Sequence, residues 1–235
     1  PMILCDGCTA PCEAECKLCE LGDGVSICEI ERAIVRYGEP GRRSSVFRMR
    51  KKKKAAIFGS GLFPLFLAGE LERKMYPATI YCQEEDYEGY IAAAAAHLSE
   101  ADRKNEAKRL KSMDLSFEFG CSLDSVFIRE KMEQADVICA SEEIAQKLAP
   151  EETADTEIML REQAGIVSGP TQSVMDAAFA AKRAALTVDL LVQNLSPHSN
   201  RGSEGAVPTK LYTNTEGIRG SERIPCGADG YSKEE

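Results

Sequence analysis

Between residues 55 and 194 short apolar runs alternate with amphipathic ones, and this alternation restricts the fold more than any other feature. "AAIF" (55–58), "ATIYC" (78–82), "LSFEF" (115–119) and "DVICA" (136–140) read as strands. "LFPLFLAGELERKM" (62–75), "EADRKNEAKRLKSM" (100–113), "SVFIREKMEQ" (125–134) and "TQSVMDAAFAAKRAALTVDLLVQN" (171–194) read as helices. "AAAAAH" (92–97) suits a helix or a packed spacer. Strands separated by helices at this spacing predict an α/β fold, with a parallel sheet covered by helices on both faces. A chain of 235 residues is long enough for one such domain and a small appendage.

The appendage is at the front. Six of the ten cysteines, namely Cys5, Cys8, Cys12, Cys16, Cys19 and Cys28, lie in the first 28 residues. No basic-then-apolar leader precedes them, which favours metal ligation over disulfides and makes a cytoplasmic location the expectation. Thiolates are soft ligands suited to iron–sulfur clusters or zinc. A cubane needs four thiolates from closely spaced turns, whereas zinc suits two separated C-x-x-C pairs. The continuous run Cys5, Cys8, Cys12, Cys16, Cys19 favours iron–sulfur over zinc, and zinc over a purely structural set. One of the five is surplus to a single cubane or serves a neighbouring subunit. The segment closes with "VSICEIERAIVRYG", whose Ile27, Ile30, Ala33 and Ile34 recur at helical spacing. Residues 1–37 are thus expected to form a small all-α, cysteine-rich unit. Cys82 and Cys139 fall in apolar runs and read as buried, inert thiols.

Residues 38–54 read as a linker ending in the basic run Lys51–Lys54, for which a solvated segment beside an acidic body is favoured over a patch for nucleic acid or an anionic partner. The formal net charge of −9 argues against a nucleic-acid binder. No run of about 18 apolar residues is present, so no membrane-spanning helix is expected. Residues 195–235 lose periodicity and fill with Gly, Ser, Pro and Asn, as a disordered tail or one draped over another surface does. His97 and His198 are the only histidines, and neither adjoins a nucleophile. The acid pairs Glu84–Glu85 and Glu142–Glu143 read as solvated.

"CTAPCEAECKLCELGDGVSICEIERAI" resembles the second cysteine motif of the glutamate synthase small-subunit family, which includes dihydropyrimidine dehydrogenase and bifurcating transhydrogenases. Cys8, Cys12 and Cys16 fall on that motif's cysteines. Ile30 and Glu31 fall on an isoleucine–acid step whose acidic or amide side chain is sometimes a cluster ligand, so the resemblance adds Glu31 to the metal candidates. "AAIFGSGLFPLFLAGEL" resembles the family's flavin-binding strand–turn–helix, and "SEADRKNEAKRLKSMDLSFEFGCSLDSVFIREKMEQADVICAS" its next segment. "GIVSGPTQSVMDAAFAAKRAALTVDLLV" is similar to its closing T-G-P-x-x-V helix, and "RGSEGAVPTKLYTNTEGI" to its C-terminal extension. The resemblance implies a Rossmann-like, FAD-type domain at 55–194, with Gly59, Gly61, Glu84, Gly169 and Pro170 as the contacts of a flavin if one binds.

The departures from the family carry information too. Between "DVICAS" and "GIVSGP" the family inserts an NADPH-binding domain; here about twenty residues intervene, too few for a βαβ unit. No pyridine-nucleotide site is expected. Pro64 replaces the third glycine, Cys82 stands where a ribose-binding acid is expected, Ala92 where an arginine is, and Gly165 where a flavin-contacting aspartate is. Four missing requirements together imply that FAD has been lost while the scaffold remains. The expected function is an accessory [4Fe-4S] electron-transfer and scaffold subunit, docking to larger subunits of a redox complex through the cluster domain and the C-terminal tail. The alternatives are an active FAD-binding electron-transfer subunit, a domain holding another nucleotide through Gly59 and Gly61, and a zinc-stabilised interaction protein.

Overall fold

The computed structural model describes residues 2–38, 49–148, 166–169, 173–196 and 199, and in the C-terminal segment residues 214, 216–217, 219–220, 222–226 and 230–233. For residues 146–148 and 166–169 it describes the backbone alone. The chain divides into two compact units, one of Pro1–Ser44 with Ser203–Glu235 and one of Ser45–Gly202. The tail segment therefore belongs to the cysteine-rich unit, and the basic run to the sheet unit.

The sheet unit is α/β. Strands β1 (Ala55–Phe58), β2 (Ala78–Tyr81), β3 (Ser116–Glu118), β4 (Val137–Ser141) and β5 (Ile166–Gly169) form one sheet in the order β3-β2-β1-β4-β5. Every neighbouring pair is parallel, with Ile57 opposite Ile80 on one side and Cys139 on the other. The chain moves outward from β1 to β3, then crosses back to β4. The topological switch thus lies between β1 and β4, above their C-terminal ends.

β1 and β4 are buried along their whole length, as central strands of a parallel sheet covered on both faces must be. Alternate residues sort between the faces. Ala56, Phe58, Tyr81, Ile138 and Ala140 pack with Ile128 of α7 (Ser125–Met132) and with Ile144 and Ala145 of α8 (Glu142–Leu148). On the other face α4 (Leu62–Arg73) packs along α9 (Val174–Val192), whose buried side is largely alanine: Ala177, Ala180, Ala181, Ala184 and Ala185. α5 (Tyr87–Ala94) and α6 (Glu100–Ser112) complete the unit. Helix starts are set by short polar side chains that accept otherwise unpaired backbone N–H groups. Asp86 caps α5 through Gly89, Ser99 caps α6 through Asp102, Asp124 caps α7 through Val126 and Phe127, and Ser173 caps α9 through Asp176. Among the described residues no helix is long and apolar enough to cross a membrane.

The basic run is built into this unit. The Lys51 N–H donates to the Met75 carbonyl, the Lys54 carbonyl accepts from Asp136 and Val137, and the Lys53 ammonium donates to Asp136 at 2.7 Å. Lys51 also donates to Asp189 of α9 at 2.8 Å and lies 4.0 Å from the Tyr76 ring centre. The Tyr76 hydroxyl donates to the same carboxylate at 2.5 Å, and Lys74 approaches it at 3.6 Å. Burial pushes the Asp189 carboxyl up, but the bonds from Lys51 and Tyr76 outweigh it and hold the group below the ordinary aspartate value. Asp189→Asn is expected to cost about 1–2 kcal/mol at pH 7, modest because the site is partly solvated. A depressed carboxyl stabilises the fold fully above its unfolded pKa of about 3.9, and the contribution disappears as pH falls through the lower folded value. Urea melts of the two proteins should therefore differ at pH 7 and converge below about pH 4; a constant gap would remove Asp189 ionisation from the account.

The cysteine-rich unit is helical: α1 (Met2–Asp6), α2 (Pro11–Ala14), a 3-10 turn at Lys17–Glu20 and α3 (Ile27–Tyr37). Met2, Ile3 and Cys5 are buried where α1 meets α3.

Candidate functional site

The first candidate is the thiol run; none of the ten cysteines is in a disulfide. Cys5 and Cys28 are buried, and the Cys28 thiol donates to the Cys5 carbonyl at 3.4 Å. Burial pushes both thiols above the ordinary value. Cys8 accepts the Ala10 N–H at 3.3 Å, and Cys12 is exposed on α2. Cys16 differs from these. It stands at the start of the 3-10 turn, where the backbone N–H of Val25 first, then those of Leu18 and Cys19 with the Cys19 thiol, favour its thiolate and hold it below the usual thiol value. Gly24 passes close to both cysteines: a Cβ there would stand 2.7 Å from the Cys19 sulfur and 3.4 Å from the Cys16 Cβ. Glu31 is exposed on α3.

The donor chemistry suits a soft metal or an iron–sulfur cluster, and amide groups aimed at sulfur are a recognised means of stabilising bound thiolate. The arrangement is more dispersed than the sequence spacing suggests. Among the described residues no three His, Cys, Asp or Glu side chains converge closely enough to hold one metal ion. Cys16 and Cys19 lie together, and Cys5 with Cys28, but the structure brings no four of the candidate sulfurs into one cage.

Glu13, which spacing did not single out, organises the unit. Its carboxylate accepts the N–H of Cys28 in the first turn of α3 at 2.8 Å and the Arg223 guanidinium at 2.9 Å. Arg223 further donates its backbone N–H to Asp23 at 2.8 Å and its Nε–H to the Gly24 carbonyl at 3.2 Å. The tail is thus fastened to the loop that wraps Cys16. Beside it lies a cleft of about 730 Å³ lined by Leu18, Val25, Ile30, Ile34 and Ile224. Ile34 is 63% exposed, so the periodic face of α3 is left open and does not form a core.

The second candidate is the turn after β1. Gly59 and Gly61 have φ of 115° and 105°, values that disfavour side chains. A Cβ on Gly59 would stand 2.4 Å from Ser141 Oγ, so packing against β4 demands glycine there. A Cβ on Gly61 would meet nothing within 4 Å. Gly169 closes β5 opposite Ser141, so Gly59, Ser141 and Gly169 sit side by side at the C-terminal sheet edge. Pro170 and Gly165 lie outside the described residues, as do residues 39–48 of the expected linker and much of 195–235.

The groups around this turn are already engaged. The Ser60 hydroxyl donates to Glu84 Oε2 at 2.6 Å, and the Tyr90 hydroxyl donates to the Gly61 carbonyl at 2.9 Å. Pro64 is the third residue of α4 and removes one N–H from the helix start. Cys82 is fully buried, and Ala92 is exposed on α5. Ser60 thus occupies one oxygen of the Glu84 carboxylate, and Tyr90 occupies the Gly61 carbonyl, at the turn where the resemblance places a flavin. No protein-family model matches the chain, and none of the curated proteins compared with it matches either.

Proposed function

We propose that this chain is an iron–sulfur electron-transfer and scaffold subunit of a larger redox complex, a reduced relative of the glutamate synthase small-subunit family without an NADPH site. The observation that carries the reading is the crowding of six cysteines into the first 28 residues, among them Cys16, partly exposed and held below the usual thiol value by nearby backbone N–H groups. The strand order β3-β2-β1-β4-β5 with a glycine turn after β1 supports a Rossmann-like scaffold. The Ser60–Glu84 bond and Pro64 at the start of α4 support the loss of FAD. The cluster unit and its attached tail are the surfaces offered to the partner subunits.

Anaerobic purification followed by iron, acid-labile sulfide, zinc and flavin analysis tests this. About four iron and four sulfide per chain without flavin is the expected result. Stoichiometric FAD would replace it with the active flavin subunit, and zinc alone with a zinc-stabilised interaction protein.

A further inference from the structure

The thiols outside the N-terminal run include a pair that the chain's spacing conceals. Cys82 follows β2 and Cys121 follows β3. The Cys121 N–H donates to the Cys82 carbonyl at 2.9 Å, which fixes the two backbones at the separation a disulfide spans. Both side chains turn to one place. The Glu118 carbonyl accepts the Cys121 thiol at 3.2 Å and the Cys82 thiol at 3.7 Å. Cys82 is fully buried and Cys121 is partly exposed, so solvent reaches the pair from one side. The pair adjoins the sheet edge bearing the glycine turn, since the Gly120 N–H donates to the Glu84 carbonyl at 2.8 Å and the Glu84 carboxylate holds Ser60.

We infer that Cys82 and Cys121 are a thiol–disulfide exchange site, oxidised to an intramolecular disulfide by low-molecular-weight disulfides such as oxidised glutathione. The Cys121 thiolate attacks one sulfur of the small disulfide. A Cys121 Sγ–S bond forms, the S–S bond breaks and one small thiolate leaves. Cys82, its proton lost to solvent, then attacks Cys121 Sγ and expels the second small thiolate. Two protein thiols and one small disulfide become one protein disulfide and two small thiols, a balanced two-electron exchange. The product ties the end of β2 to the end of β3 beside Glu84.

Desolvation raises Cys82 to about 12 and also raises Cys121. The thiolate is the attacking species, so exchange is slow at neutral pH and accelerates as pH rises towards 9. Fast oxidation of the N-terminal thiols does not stand in for this event, because the two occur in different peptides.

The test treats the full chain, purified anaerobically with whatever metal it holds, with oxidised glutathione at pH 7 and pH 9. Free thiols are then trapped with N-ethylmaleimide and the digest is read by mass spectrometry. The expected product is a cross-linked peptide pair joining Cys82 to Cys121, formed at least several-fold faster at pH 9. Cys82→Ser should stop at a Cys121–glutathione mixed disulfide, and Cys121→Ser should leave Cys82 unmodified. Wild-type protein that accumulates the mixed disulfide without the cross-link, that pairs Cys82 with another cysteine, or that leaves both thiols free at pH 9 would overturn the assignment.

Discussion

Gly59→Ala is expected to lower the stability of the sheet unit by about 2–5 kcal/mol, combining left-handed backbone strain with overpacking. The two contributions are separable because the neighbouring glycine has only one of them. Gly61 shares the positive φ, yet the space beside it is open, so Gly61→Ala should cost only the strain, about 1–3 kcal/mol. At Gly59 the new methyl group would also stand 2.4 Å from Ser141 Oγ and 2.9 Å from Ser141 Cβ. Ser141 is buried within a central strand and cannot swing away freely. Ser141→Gly removes both opposing atoms and should recover the steric share but not the strain. Urea melts of the two single variants and the double variant would give a favourable coupling of about 1–3 kcal/mol. Equal costs at Gly59 and Gly61, or a cycle that closes to zero, would show that β4 does not dictate this glycine. The result also bears on function, because it measures how much of the glycine turn is explained by sheet packing alone.

Which parts of this molecule the sequence discloses follows from how local each signal is. "AAIF" and "DVICA" are apolar on both faces, and they become central strands buried on both sides. The alternation of strands and helices carries the parallel sheet, because no short loop could pair those strands antiparallel. β5 is four residues after a segment without helical or strand spacing, and its place is fixed only by pairing with β4. α8 and α1 are seven and five residues long, too short for periodicity to mark them. In α3 the spacing of Ile30, Ala33 and Ile34 correctly groups them on one face, but spacing cannot say whether anything covers that face. The same limit applies to the candidate sites. Cysteine crowding is visible at a glance, whereas the amide wrap around Cys16 depends on Val25, nine positions on. Ser141, the Cys82–Cys121 pair and the Glu13–Arg223 contact join residues far apart in the chain. A small residue at the end of a central strand is the one local hint that Ser141 gives.

Glu13→Ala should loosen the cysteine-rich unit by about 2–3 kcal/mol, more than any other single polar substitution there. Glu13 is 16% exposed and serves two partners at once. One is the Cys28 N–H in the first turn of α3, where an intrahelical acceptor does not exist and a carboxylate also answers the positive end of the helix. The other is the Arg223 guanidinium, 42% exposed, which fastens the tail. Removing Glu13 strips both. Arg223→Ala strips the second of these together with the Nε–H bond to the Gly24 carbonyl, leaves the carboxylate on Cys28, and should cost about 1–2 kcal/mol. Residues 27–31 and 222–226 both lie in the smaller unit, and hydrogen exchange resolved by peptide reads them directly. Glu13→Ala should speed exchange both in residues 27–31 and in 222–226, and Arg223→Ala only in 222–226. Equal effects of the two variants at the start of α3 would mean that the tail, and not the Glu13 carboxylate, holds that helix in place. Unchanged exchange in both segments would detach Glu13 from the architecture around Cys16 altogether.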